Sequence, residues 1–301
     1  MPAKYVNPFT DFGFKKLFGE EASKPALIDF LNSLLVPENS SKIVNIYFKN
    51  SERNGDTIID RRSIYDIYCE NDKGEKYIVE LQKARQDYFK ERTIFYSTFP
   101  IREQAEKGSW NYNLSAVFCV GILGFTFNDY KNNEAEKQKV VHTIKLKYDQ
   151  CNVFYDKLTY LYIEVPNFKM AENELITRLD KWLYFIKHLE DFQSIPELFK
   201  GDVVFTDVIQ RAEIANFNYE QMMHYEGSLK VFRDNINVVD SAEKKGREEG
   251  ILIGAAEKEE YAGQKARQVQ LAIAANCRKA GMSTGEIAKI TGLTIEEIND
   301  L

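Results

Sequence analysis

The sequence predicts an α/β chain: a central mixed sheet flanked by helices, with a helical C-terminal extension. Three observations carry this expectation. Segments with helical apolar spacing alternate with segments rich in β-branched and aromatic residues. The run LSAVFCVGILGF (114–125) is almost unbroken apolar sequence, as in a strand covered on both faces. After about residue 193 the composition turns helical and polar.

Residues 8–35 carry helical spacing through Phe14, Leu17, Phe18, Ala26, Phe30, Leu31 and Leu34, with Thr10 as the first cap and Pro37 as the stop. A break between Gly19 and Pro25 divides this segment into two helices. IVNIYFK (43–49) alternates as a strand, and two further strands are expected near 61–70 and 75–82. A helix from Gln86 to about Lys107 follows, with Pro100 predicted to kink it. Strands are then expected at 114–125, 140–148 and 158–166, and an amphipathic helix at 172–192. Near the end, Ser283 with Glu286 and Thr294 with Glu297 form capping boxes, and Gly292 suits a left-handed helix stop. Helices at 264–280, 284–291 and 294–301 would share a small core in a helix-turn-helix-like arrangement. The last of these carries Glu296, Glu297 and Asp300, which suits packing or dimerisation better than reading bases.

The bulk composition narrows the function. No apolar run approaches the roughly 18 residues of a membrane span, and MPAKYVNPFTDFGF lacks the layout of a secretory signal. The expected location is the cytoplasm. Cys69, Cys119, Cys151 and Cys277 stand singly beside three histidines, which argues against a structural zinc site. The net charge of −6 argues against a general nucleic-acid coat while leaving room for a local basic cleft.

The sharpest chemistry lies in SIYDIYCENDKGEKYIVELQKA (63–84). Asp72-Lys73-Gly74 suits a three-residue hairpin loop closed by a left-handed glycine. That loop sets Tyr68 opposite Ile78, Asp66 opposite Glu80 and Ile64 opposite Gln82. Strand alternation then puts Asp66, Glu80 and Gln82 on one face, with Tyr65, Ile67, Val79 and Leu81 turned into the core. Directly opposed carboxylates lie about 4.5–5.5 Å apart at Cβ and repel. Solvation, a retained proton or a bridging cation can each relieve that repulsion. A divalent cation is the chemically productive option, since it prefers carboxylate oxygens, carbonyls and water. The bare pattern also describes a solvated hairpin face.

The order of elements, the Asp66 … Glu80-Leu81-Gln82 constellation, NPFTDFGFKKLFG, FNYEQMMHYEGSLKVFRD (217–234) and GMSTGEIAKITGLTIEEI together resemble the PD-(D/E)xK nuclease superfamily, and within it the recombination-promoting nuclease/transposase group. The resemblance implies a restriction-endonuclease-like core and a metal-dependent DNA endonuclease. Magnesium, or manganese or calcium, would be held by Asp66, Glu80 and the carbonyl of Leu81, with Asp11 as a further acidic candidate and Gln82 positioning water. Gln82 departs from the pattern, which has lysine there; Lys83 is adjacent but expected to point to the opposite face. Arg92 and Tyr96, on the helix after the hairpin, are the candidates for DNA contact. Four segments are expected: a nuclease-like domain (1–192), a helical extension packed on it (193–238), a charged connector helix with Gly246, Gly250 and Gly254 (239–263), and the small helical region (264–301). The expected partners are DNA and a second copy of the chain through the C-terminal helices, with no membrane. The rival reading is a weak or inactive nuclease fold serving as an oligomeric binding module.

Overall fold

The computed structural model describes residues 3–35, 42–49, 65–106, 108–127 and 133–301. The chain begins with a short helix α1 (Asp11–Phe14) that continues into a π turn (Lys15–Gly19), and the Thr10 hydroxyl caps it by accepting from Gly13 N at 3.0 Å. Helix α2 (Lys24–Leu35) follows, then strands β1 (Ile46–Phe48), β2 (Ile67–Asn71) and β3 (Lys76–Gln82). Helix α3 (Phe89–Arg102) leads to β4 (Val117–Leu123), the short α4 (Glu134–Gln138), β5 (Val141–Lys147) and β6 (Val153–Glu164). Helices α5 (Arg178–His188), α6 (Val203–Ala212), α7 (Tyr219–Lys279), α8 (Thr284–Thr291) and α9 (Ile295–Asn299) complete the chain.

Six strands form one sheet in the order β1-β2-β3-β4-β6-β5. The central pairs β3–β4 and β4–β6 are parallel, and the outer pairs are antiparallel. This is a mixed α/β sheet with helices on both faces, as the alternation of segments predicts.

The sheet is buried twice over. One face sends Ile67, Cys69, Tyr77, Val79, Phe118, Val120 and Ile122 into a core shared with Phe14, Leu17 and Phe18, and with Phe30, Trp182 and Phe205. The other sends Tyr68, Ile78, Val117, Cys119, Tyr160 and Tyr162 against Phe89 of α3 and Phe127. Strict alternation along β4 explains why its sequence is apolar throughout.

The differences from the sequence reading have local causes. Pro100 lies inside α3 without ending it. β6 begins at Val153, five residues early, because its polar start pairs with the end of β5 as a two-stranded ribbon. Helix α5 starts at Arg178, where the Thr177/Asp180 capping box sets its N-terminus. The helix expected from 264 is the last part of the continuous α7.

The chain divides into two compact units, Met1–Ile236 and Asn237–Leu301. In the second, Ala274, Ile287, Leu293 and Ile298 form a small core, and both expected capping boxes are present. Gly292 ends α8 at φ 71°. No helix among the described residues is long and apolar enough to cross a membrane.

The hairpin that carries the acidic residues takes the register its loop dictates. Asn71 N donates to Glu75 O at 3.0 Å, and Tyr68 pairs with Ile78. Gly74 sits at φ +75°, and a Cβ there would come within 3.3 Å of Ser115 Oγ. Gly74→Ala is therefore expected to destabilise the chain by about 1 kcal/mol. Urea melts of the two proteins check this, and equal midpoints would show that the loop does not depend on glycine.

Candidate active site

The β2–β3 ladder ends at Ile67 and Val79, and Asp66 lies one residue beyond it. There its side chain takes over a backbone role: Leu81 N donates to Asp66 Oδ2 at 2.7 Å. Extending the register by one places Asp66 across from Glu80, on the face the turn predicts. Ile64, the expected partner of Gln82, lies outside the described residues.

That face is only partly open to water. Glu80 is 13% exposed, beneath α3, in a small cavity lined with Thr93, Tyr96, Cys119 and Tyr162. Gly121, opposite Glu80 in the β3–β4 register, makes room there, since a Cβ would approach Tyr162 Cδ1 to 3.0 Å. Tyr65 is also turned to this face rather than into the main core, because strand alternation stops at Ile67. Its hydroxyl donates to Tyr96 O at 2.9 Å. Three further hydroxyl contacts fix α3 on the sheet: Thr93 Oγ1 lies 2.6 Å from Tyr162 Oη, Ser97 Oγ lies 2.7 Å from Tyr160 Oη, and Tyr68 Oη donates to Glu103 at 2.6 Å.

Arg92 of α3 is thereby aimed at the carboxylate. Its Nη2 donates to Glu80 Oε1 at 2.7 Å and to Gln82 Oε1 at 2.6 Å, and Nη1 donates to Gln86 Oε1. Gln82 is further oriented by Nε2 donating to Ala84 O at 3.0 Å. The residue expected to contact DNA is thus engaged by the acidic site itself. Tyr96 stacks edge-on against Tyr65 at 5.7 Å, and the Arg92 guanidinium lies 5.9 Å from its ring.

Burial governs the electrostatics. Desolvation pushes Glu80 up to about 7, opposed by the Arg92 charge and reinforced by Asp66. Desolvation likewise raises Asp66 to about 6, opposed by the Leu81 N–H, while the charge of Asp11 adds to the rise. Asp11 is therefore close enough to act on Asp66, although it is exposed and paired with Lys15 at 2.8 Å. Lys15 also acts on Asp66, in the opposite sense. Lys15 and Gln86 are the neighbours that sequence reasoning missed; the i,i+4 spacing from Asp11 was the available signal for Lys15.

Lys83 lies elsewhere, as alternation predicts. Its ammonium is 4.8 Å from the Phe9 ring and 5.5 Å from the Phe232 ring, and burial lowers its pKa.

The donor set fits a hard divalent cation. Lys76 N and Gln82 O bond to the β4 side at 2.8 and 2.9 Å, so the backbone of Leu81, between Glu80 and Gln82, faces β2 and Asp66. Two partly buried carboxylates and a carbonyl on one side are oxygen ligands of the kind magnesium takes along with several waters. Among the described residues no group of three or more His, Cys, Asp or Glu is arranged to hold a metal ion. A cation here would therefore retain much of its water.

A folded-state carboxyl raised above its unfolded value holds its proton longer than the unfolded chain does. Between the two values the folded state binds more protons, so stability falls as pH rises. In chelator, the wild-type chain is expected to lose stability as pH rises, through Asp66 from about pH 4 to 6 and through Glu80 from about pH 4.5 to 7, by up to about 1.4 kcal/mol per pH unit for each group within its window. Glu80→Gln should flatten that slope. Urea midpoints measured across this range test it, and parallel profiles would show that Glu80 titrates as an ordinary surface acid.

A family described as PD-(D/E)XK nuclease family transposase matches residues 8–242. No curated protein and no solved structure matches the chain.

Proposed function

The chain belongs to the PD-(D/E)XK nuclease family transposases, and from that premise we propose that it is a metal-dependent endonuclease that hydrolyses DNA phosphodiester bonds in recombination or transposition. The observation that carries the reading is the partial burial of Asp66 and Glu80 side by side, with Gln82 on the same face. Asp66, Glu80 and the Leu81 carbonyl would hold a divalent cation, magnesium in this reading, and Asp11 would add charge from the first helix. When bound, such a cation lowers the pKa of coordinated water and stabilises charge on a phosphoryl oxygen. Gln82 can accept a hydrogen bond from the attacking water or donate one to a phosphate oxygen. The buried setting keeps bulk water from competing for the reacting groups.

The segments divide the work in this reading. Residues 1–192 carry the chemistry, and 193–238 brace it: Asn7 N donates to Tyr225 Oη at 3.0 Å, and Phe205 and Val208 lie in the core. Residues 239–263 connect to the small helical region 264–301. A cytoplasmic location belongs to the same proposal.

One observation favours a second reading, a weak or inactive fold kept for binding. Arg92 already occupies the oxygens of both Glu80 and Gln82. Supercoiled plasmid separates the two. Wild type is expected to nick it in magnesium but not in chelator, and Asp66→Ala and Glu80→Ala should each reduce the rate at least ~100-fold. Equal rates for wild type and Asp66→Ala would remove Asp66 from the chemistry.

A second copy is the proposed partner of the connector helix. Ile251, Leu252 and Ile253 are 65%, 70% and 60% exposed in sequence. Pairing two copies antiparallel about Leu252 sets Lys245 against Glu259, each seven residues from Leu252 and on the same helical face. Parallel pairing would set each charge against itself, so charge complementarity selects the antiparallel dimer. Light scattering on the full chain should report a dimer for wild type, a monomer for Lys245→Glu and a dimer again for Lys245→Glu with Glu259→Lys. A mass unmoved by Lys245→Glu would count against this interface.

A further inference from the structure

We infer that Arg92 supplies the positive charge that a lysine at position 82 would supply in the pattern that names the family, with Gln82 serving as its docking partner. The inference rests on the nuclease reading and names a further residue at the same site.

Position comes first. Arg92 Nη2 stands 2.6 Å from Gln82 Oε1 and 2.7 Å from Glu80 Oε1. A cationic nitrogen therefore lies one hydrogen bond beyond the end of side chain 82, beside the carboxylate. An extended lysine at 82 would carry its ammonium to about that place.

The pair is also chemically matched. Gln82 spends its Nε2 on Ala84 O, which leaves its oxygen facing the guanidinium. Glutamine can accept from Arg92, whereas lysine has no acceptor and would be repelled. Arginine at 92 and glutamine at 82 thus suit each other, as arginine and lysine would not. Burial sharpens the choice. The ammonium of neighbouring Lys83 is held below its usual pKa by burial. A guanidinium keeps its charge in such surroundings.

The charge is held in place from several sides. Nη1 bonds to Gln86, the Phe89 ring centroid lies 5.3 Å from the guanidinium carbon, and α3 is pinned at Thr93 and Ser97. Nε is buried and makes no hydrogen bond among the described residues.

The test is a charge relocation. Arg92→Gln and Gln82→Lys are each expected to slow plasmid cleavage at least ~100-fold. Together, Gln82→Lys with Arg92→Gln should recover at least tenfold over Arg92→Gln alone, and Arg92→Lys should retain more activity than Arg92→Gln. Calorimetric titration with calcium gives a readout independent of turnover. Arg92→Gln should tighten calcium binding several-fold, because a cation leaves the carboxylate, and the double variant should return it to the wild-type value. Wild-type cleavage by Arg92→Gln, a double variant no better than Arg92→Gln, or calcium affinity unmoved by Arg92→Gln would each overturn the assignment. A wild-type chain silent in every metal would instead sink the nuclease reading, and the calcium titrations would still decide the role of Arg92.

Discussion

Helix α3 lies across one face of the sheet, and its Arg92 meets the carboxylate of Glu80 in a space where water is scarce. The rest of the site depends on that contact. Burying a carboxylate costs several kcal/mol unless charge and hydrogen bonds compensate. Here the compensation comes from the same helix that causes the burial. The hydroxyl contacts of Thr93 and Ser97 with the two tyrosines of β6 hold the helix, and so hold the guanidinium. Sheet, helix and charge pair form one unit, and loosening any of them exposes the others.

The opposite face of the sheet supplies rigidity without polar cost at the site. Asp29 Oδ2 accepts from Arg178 Nε and Trp182 Nε1, each at 2.7 Å, which ties α2 to α5. Arg178 also bonds Asp202, the cap of α6. The aromatic cluster around Trp182, Phe18 and Phe205 fills the space between them. The π turn after α1 packs into this core through Leu17 and Phe18, which anchors the segment whose Asp11 and Lys15 charges act on Asp66. Charges that look like ordinary helix decoration are thereby placed where they act on a buried acid.

Much of this was legible in the sequence, for identifiable reasons. Local rules with short reach worked. Asp72-Lys73-Gly74 fixed the hairpin register, the capping boxes fixed α8 and α9, and the unbroken apolar run of 114–125 announced a doubly buried strand. What escaped was tertiary. Nothing in SIYDIYCEN tells that α3 will cover the carboxylate face, since Phe89, Thr93 and Ser97 read equally well as the inner stripe of any amphipathic helix. The side-chain bond from Asp66 to Leu81 N was hidden for the same reason, because it replaces a ladder bond that the register implies. Arg92 was singled out as functional, but its direction, inward to Glu80 rather than outward to phosphate, required the structure.

The two partly buried carboxylates and Arg92 also define how the site must respond to a cation. Burial makes Glu80 and Asp66 hold their protons to higher pH than a free carboxyl does. A divalent ion can bind only the ionised forms, so its binding expels those protons and strengthens as pH rises. It must also share Glu80 with a guanidinium that never loses its charge. Two positive centres on one pair of carboxylates repel each other, and a further anion between them would relieve that repulsion. A phosphodiester is such an anion, and in the proposed reading metal and substrate binding would be coupled, each lowering the cost of the other. In the absence of substrate, the ion pair of Arg92 with Glu80 is the resting arrangement that the electrostatics favour.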